Sequence, residues 1–221
     1  MKYFDGDWNE REDGLQQDVA DYQAQRQQLE SEQEGRDCSE KEIADLGRCI
    51  GHLGEACRLS GLWTAAFEAR TAALAVWTGL QRPRALYLAR LRLAILQESI
   101  RVSGTPEEQA LVTPLDAGYA ALLELRAEMA GEPQTFTPVS IEQPGEQLSE
   151  SEHIRVARGD DLSVYADFVH EAVAIAYLRR GQHLEANAEL AAALAIRSQR
   201  GQRAMIERTR QLMDRLARAF D

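Results

Sequence analysis

Three observations predict an all-helical fold for this sequence. Apolar residues return at steps of three and four along most of the chain, and no stretch keeps the two-residue alternation of a half-buried strand. Single glycines (Gly61, Gly79, Gly181 and Gly201) stand where those stripes stop. Two capping boxes, Ser39 to Glu42 and Thr105 to Glu108, stand just ahead of helical segments.

The elements follow in order. Leu15, Val19, Tyr22 and Leu29 share one stripe, so 14–34 reads as an amphipathic helix. It is Gln-rich and its stripe is thin, so it must dock on something or fray. Gly35 to Asp37 breaks it. After Ser39, residues Ile43, Leu46, Ile50, Leu53 and Cys57 form a helix that ends at Gly61. A second runs from Leu62 through Phe67, Ala73, Leu74 and Trp77 to Gly79. Pro83 opens a third, with Leu86, Leu93, Leu96 and Ile100 on its stripe, ending near Val102. Thr105-Pro106 starts the next, which is expected to bend at Pro114 and continue to Ala130. Residues 131–152 hold Pro133, Pro138 and Pro144 among Gly, Ser, Gln and Glu, which reads as a linker or long loop. Helices resume near Asp161 or Leu162 and run to Arg180, then from 183 to 199, then from 203 to 219.

Composition narrows the function. The 221 residues carry 25 Lys+Arg against 36 Asp+Glu, a net charge of −11. An acidic chain lacks the basic surface that displaces counterions from nucleic acid, which disfavours that partner. Aromatic residues are 6%, too few for stacking platforms. No apolar run reaches the ~18 residues of a membrane span, and Met1 to Asp13 lacks a signal-peptide pattern, so a cytoplasmic protein with no membrane partner is expected. The lysines are only Lys2 and Lys41, with Arg elsewhere, which points to the base composition of a GC-rich bacterium. Charge is uneven. Residues 1–45 hold 14 acidic and 5 basic residues, and 197–218 hold seven Arg against Glu207 and Asp214. These are solvated faces or the two halves of a contact, within the chain or in a homo-oligomer.

The chain also repeats itself. Residues 46–80 laid over 166–200 match at seven of 35 positions: Ala56/Ala176, Gly61/Gly181, Ala66/Ala186, Ala72/Ala192, Ala73/Ala193, Leu74/Leu194 and Ala75/Ala195. Each segment has a helix, a Gly turn, a small residue five after that Gly, and Ala-Leu at twelve and thirteen after it. This spacing resembles the tetratricopeptide (TPR) family, through Leu53, Gly54, Cys57, Gly61, Trp63, Ala66 and Ala73 in the first segment. In the second it does so through Val173, Ala174, Tyr177, Gly181, His183, Ala186, Leu190 and Ala193. Small residues let helix backbones approach, and large ones fill the gaps between hairpins. The middle hairpin, 82–130, lacks the small-residue signature, and the proline that usually closes each unit is replaced by Thr78 and Ser198. The resemblance implies antiparallel hairpins stacked as a short right-handed solenoid with 203–219 as a solvating cap. The implied organisation is an acidic segment 1–38 with one helix, a hairpin plus a degenerate hairpin over 39–130, a Pro-rich linker at 131–160, and a hairpin with its cap over 161–221. Residues 39–221 are expected to form one domain.

No catalytic constellation stands out. Cys49, His52 and Cys57 share one side of a helix with Glu55 nearby, but the spacing matches no common zinc pattern, and Cys57 sits where the repeat places a packing residue. The four histidines, His52, His153, His170 and His183, follow no nucleophile-elbow order, and no phosphate loop appears. No metal, no cofactor and no enzymatic activity are expected. Trp63, Phe67 and Trp77 read as core; Tyr3, Phe4 and Trp8 make a short aromatic-acidic tag. The TPR resemblance places a peptide-binding groove on the first helix of each hairpin. Its candidates are Arg48, Gly51, Glu55 and Arg58, then Phe168, Glu171, Ile175 and Leu178. The expected function is a non-catalytic interaction module that holds a peptide or helix of a partner protein. A peptide-sensing regulator or a self-assembling scaffold is the alternative.

Overall fold

The computed structural model describes residues 12–35, 37–130 and 162–218. Among them every regular element is helical and no strand occurs. The helices are α1 (Glu12–Gln33), α2 (Glu40–Leu59), α3 (Trp63–Leu80), α4 (Pro83–Ser103), α5 (Pro106–Gln109), α6 (Ala117–Ala130), α7 (Ala166–Leu178), α8 (His183–Gln199) and α9 (Arg203–Arg218). A 3₁₀ turn, Leu162–Tyr165, leads into α7. Tyr3, Phe4, Trp8, His153 and the 131–160 linker lie outside the described residues. The chain divides into two compact units, Met1–Leu122 and Leu123–Asp221, with the division inside α6.

Unit one is built on the α2–α3 hairpin. Ser39 caps α2: its hydroxyl accepts from the Glu42 amide at 3.3 Å, and the Glu42 carboxylate accepts from the Ser39 amide at 2.9 Å. At the other end Gly61 adopts φ 70°, and the Leu62 amide donates back to the Cys57 carbonyl at 2.9 Å. That left-handed residue closes one helix, and the single residue after it opens the next. The α3–α4 turn has the same form with Gln81 at φ 50° and Pro83 as the first helical residue.

Ile50, Leu53, Ala56 and Cys57 of α2 pack with Ala66, Ala69 and Ala73 of α3 and with Leu96 and Ile100 of α4. Nearer the start of α2, Ala44, Trp77 and Ala89 make a second cluster. Gly47 admits the indole: a Cβ there would lie 2.8 Å from Val76 Cγ1 and 3.1 Å from Trp77 Cζ2. α1 docks on α2 through Val19, which joins the core, and Tyr22, whose ring stacks on His52 at 5.5 Å. Gln33 Nε2 donates to the Glu42 carbonyl at 3.0 Å. Docking supplies the burial that the thin stripe of α1 cannot provide alone.

The helix expected to bend at Pro114 is instead two helices. α5 ends at Gln109, α6 starts at Ala117, and the Thr113–Pro114 peptide between them is cis. Pro114 has no amide to donate and bars its predecessor from the helical region. Gly118 then lies against α4, where a Cβ would be 2.7 Å from the Ala94 carbonyl oxygen. The middle hairpin thus has a small-residue contact outside the repeat spacing.

Unit two repeats the hairpin geometry. Gly181 takes φ 71° between α7 and α8, and Gly201 takes φ 68° between α8 and α9. The amides of Gln182 and Gln202 donate to the carbonyls of Tyr177 and Arg197 at 3.0 and 3.1 Å, matching the bond from Leu62 to Cys57. Val169, Val173, Ala174 and Ala176 of α7 are buried, as are Ala186, Leu190 and Ala193 of α8.

Candidate functional site

The groove candidates of the first hairpin lie on α2. Arg48 is exposed and pairs with Asp45; Gly51 is buried; Glu55 and Arg58 are half-buried and pair with each other. On α7, Phe168, Ile175 and Leu178 are half-buried, whereas Glu171 is buried and paired inside unit two. Among the packing candidates, Leu53, Gly54, Cys57, Ala66, Ala73, Ala174, Ala186 and Ala193 are buried, and Tyr177 is half-buried. Gly61 and Gly181 are the turn residues described above.

In unit one, Glu55 is the hub of a cationic cluster. Arg58 donates through Nε at 3.1 Å and Nη2 at 2.7 Å to the two carboxylate oxygens, and Arg70 Nη2 donates to one of them. Arg70 is only 2% exposed, and its Nη1 donates to the Gly51 carbonyl at 2.8 Å. Gly54 makes room, since a Cβ there would lie 3.1 Å from Arg70 Cδ. Burial alone would raise the Glu55 carboxyl, but the Arg58 hydrogen bond and the charges of Arg58, Arg70 and Arg92 outweigh it and hold it at about 2. Burial brings Arg70 down to about 10, against the pull of Glu55, which leaves it cationic at neutral pH.

In unit two, the hub is Arg197, which is 0% exposed. Its Nε donates to Asp167 at 3.0 Å, and its Nη1 donates to Thr209 Oγ1 at 2.6 Å and to Glu171. Its guanidinium carbon lies 5.7 Å from the centre of the Phe168 ring. Arg200 donates to Asp167 at 2.6 Å and to the Ser163 carbonyl at 2.7 Å, and Arg208 pairs with Glu171 at 2.8 Å. Three of the seven arginines in 197–218 are therefore engaged by two acids of α7. A third cluster joins α6, α7 and α8: Glu189 receives Arg126 Nε at 2.7 Å and lies 2.6 Å from His170 Nδ1. Burial works to raise Glu189, yet the bond from His170 and the charge of Arg126 bring it below the usual carboxylate range.

The sequence does carry a signal for Arg70 and Arg197. Ala66, Arg70, Ala73 and Trp77 share one helical stripe, and so do Ala186, Leu190, Ala193 and Arg197. A charge within an alanine stripe marks a buried ion. The partners across the hairpin, Glu55 and Asp167, come only from the tertiary arrangement.

A cleft of about 440 Å³ opens between α1, α2 and α3. Gln23, Arg26, Gln27 and Glu30 line one wall, with Leu53, Cys57, Ala65, Glu68 and Ala69 opposite. Cys49 and Cys57 are buried, and burial pushes both thiols up. The Cys49 thiol faces the Tyr22 carbonyl at 3.5 Å while His52 stacks on the Tyr22 ring, so the two point to α1 rather than to each other. Among the described residues no three His, Cys, Asp or Glu side chains converge on a metal position, and no helix is long and apolar enough to cross a membrane. Compared with family models, with curated proteins and with solved structures, the chain matches none.

Proposed function

We propose that this chain is a non-catalytic, cytoplasmic interaction module that holds a peptide or helix of another protein on the first helix of a TPR-like hairpin. One observation carries the reading. The same turn, a left-handed residue followed by one linking residue, recurs at Gly61, Gln81, Gly181 and Gly201, with buried small residues at Gly54/Ala174, Ala66/Ala186 and Ala73/Ala193. Repeated hairpins of this kind expose a preformed helical surface, and a preformed surface binds without an ordering cost. Arg48, Glu55 and Arg58 offer charge on α2, and Phe168, Ile175 and Leu178 offer half-buried apolar surface on α7. α9 takes the role of the solvating cap.

Affinity capture from a lysate of the source organism tests this, comparing the intact chain with Arg48→Glu, Arg58→Glu and Ile175→Asp. Glu171 is not a usable probe, because it is buried and paired with Arg197 inside unit two. Circular dichroism verifies helicity. A protein retained by the intact chain and lost by folded variants supports the module; equal retention by all of them rejects binding at α2 and at α7.

A further inference from the structure

We infer that His170 is a phosphoryl-acceptor histidine, with Nε2 as the nucleophile and the neighbouring Arg126 guanidinium as the anchor for the incoming phosphoryl group. The donor class is a phosphoramidate, an N–P bonded phosphoryl compound, to which a phosphohistidine of another protein also belongs. The inference goes beyond the binding-module reading and does not depend on it.

One buried carboxylate builds the site. The Glu189 side chain on α8 is 6% exposed, and its two oxygens hold two different groups. Oε1 receives Arg126 Nε at 2.7 Å, and Oε2 lies 2.6 Å from His170 Nδ1. Burial opposes ionisation of Glu189, but the bond to His170 and the charge of Arg126 outweigh it. An ionised carboxylate only accepts, so the proton of this bond sits on Nδ1. In the neutral ring Nε2 then carries the lone pair. Among the described residues Nε2 makes no hydrogen bond, and it is not an enclosed atom, so it faces solvent. Arg126 is 44% exposed and is held through Nε, which leaves Nη1 and Nη2 without a side-chain partner among the described residues. A nucleophile and a guanidinium edge thus share one anchor on one patch of surface.

The hairpin itself does not require this cluster. The positions matching His170 and Glu189 in unit one are Ile50 and Ala69, both buried in an apolar core.

The chemistry follows from the geometry. Nε2 attacks phosphorus and forms a new N–P bond while the N–P bond of the donor breaks. The donor nitrogen keeps the bonding pair and leaves, as ammonia when the donor is phosphoramidate itself. The ring gains one positive charge, and the proton retained on Nδ1 directs that charge at the Glu189 carboxylate. Arg126 meets the phosphoryl oxygens, which a guanidinium fork pairs bidentately. One guanidinium matches a single phosphoryl group better than the polyanionic tail of a nucleoside triphosphate.

The test treats the full chain with potassium phosphoramidate. Peptide mass spectrometry under alkaline handling locates the label, and phosphorus NMR distinguishes the Nε2 from the Nδ1 product. His170 should be labelled about tenfold or more faster in the folded chain than in the urea-unfolded chain, and only at Nε2. His52, His153 and His183 serve as internal references and should show no such gain. Arg126→Gln, at an exposed position, should slow labelling about fivefold or more with helicity unchanged. Glu189→Gln should slow it as well and admit the Nδ1 product; if that variant loses helicity, Arg126→Gln carries the test. Labelling of His170 no faster than in urea overturns the inference, as does labelling at Nδ1 in the folded chain, or a rate indifferent to Arg126→Gln.

Discussion

Residues 47–89 and 167–209 share a backbone plan and place their charges at opposite ends of it. In unit one the turn end of the hairpin is ionic, with Glu55, Arg58 and Arg70, while the buried contact at the open end is apolar, with Gly47 against Trp77. In unit two the corresponding turn-end residues are Ile175, Leu178 and Leu190, and the open end holds Asp167, Glu171 and Arg197. The pairs 47/167 and 77/197 are thus glycine with tryptophan in one unit and aspartate with arginine in the other. Small residues and left-handed turns carry the shared geometry; the large residues at the two ends vary. A hairpin of this type holds either an apolar contact or an ion-paired one at these positions, and removing one partner of a buried pair is costly.

Breaking the pair in unit two has the largest expected effect. Arg197→Met leaves Asp167 and Glu171 buried without their shared cation, and a loss of about 3–5 kcal/mol is expected in urea unfolding. Replacing Asp167, Glu171 and Arg197 together by Ala, Ala and Leu recovers most of that loss if the comparison holds; a triple variant as weak as the single one breaks it. In unit one, Arg70→Leu copies the residue at 190. Glu55 is 23% exposed and keeps Arg58, so the expected loss is smaller, about 2 kcal/mol. A loss equal to that of Arg197→Met would mean the two clusters bear equal weight.

Acid sharpens the same contrast. The Glu55 carboxyl titrates at about 2 in the fold against an ordinary 4.5, so the unfolded chain takes up a proton first. The stabilisation is fully present above 4.5 and is lost as pH falls towards 2. Glu55→Gln should flatten the stability–pH curve across that window, and an unchanged slope would show that other carboxylates dominate it. The smallest effect concerns the turns. Gln81 holds φ 50° where the other three turns use glycine, so Gln81→Gly should raise stability by about 0.5 kcal/mol despite losing the 2.7 Å bond from its side chain to the Thr78 carbonyl. A lower melting temperature would show that this bond outweighs the backbone strain.

Much of the local structure was legible from the chain. The Ser39 and Thr105 boxes cap helices, and Gly61, Gly181 and Gly201 stand at positive φ, because caps and left-handed turns depend on a few adjacent residues. Pro114 was legible as a disturbance, but the separation into α5 and α6 and the contact of Gly118 with α4 were not, because both depend on packing across helices. The α2 candidates were read as a list along one helix. Their charge environment was not legible, because Arg70 and Arg92 arrive from α3 and α4.

By itself, then, the sequence determined that the described chain is helical, where most helices begin and end, and that one hairpin type occurs twice. Those properties follow from periodicity, capping and backbone conformation, which act over a turn or two. Only the tertiary structure decided which buried arginine meets which acid, that Glu171 belongs to the interior of unit two, and that Glu55 is held low by arginines of its own helix and of two others. Electrostatic partners are set by distance in space and by local dielectric, and neither is a property of sequence separation.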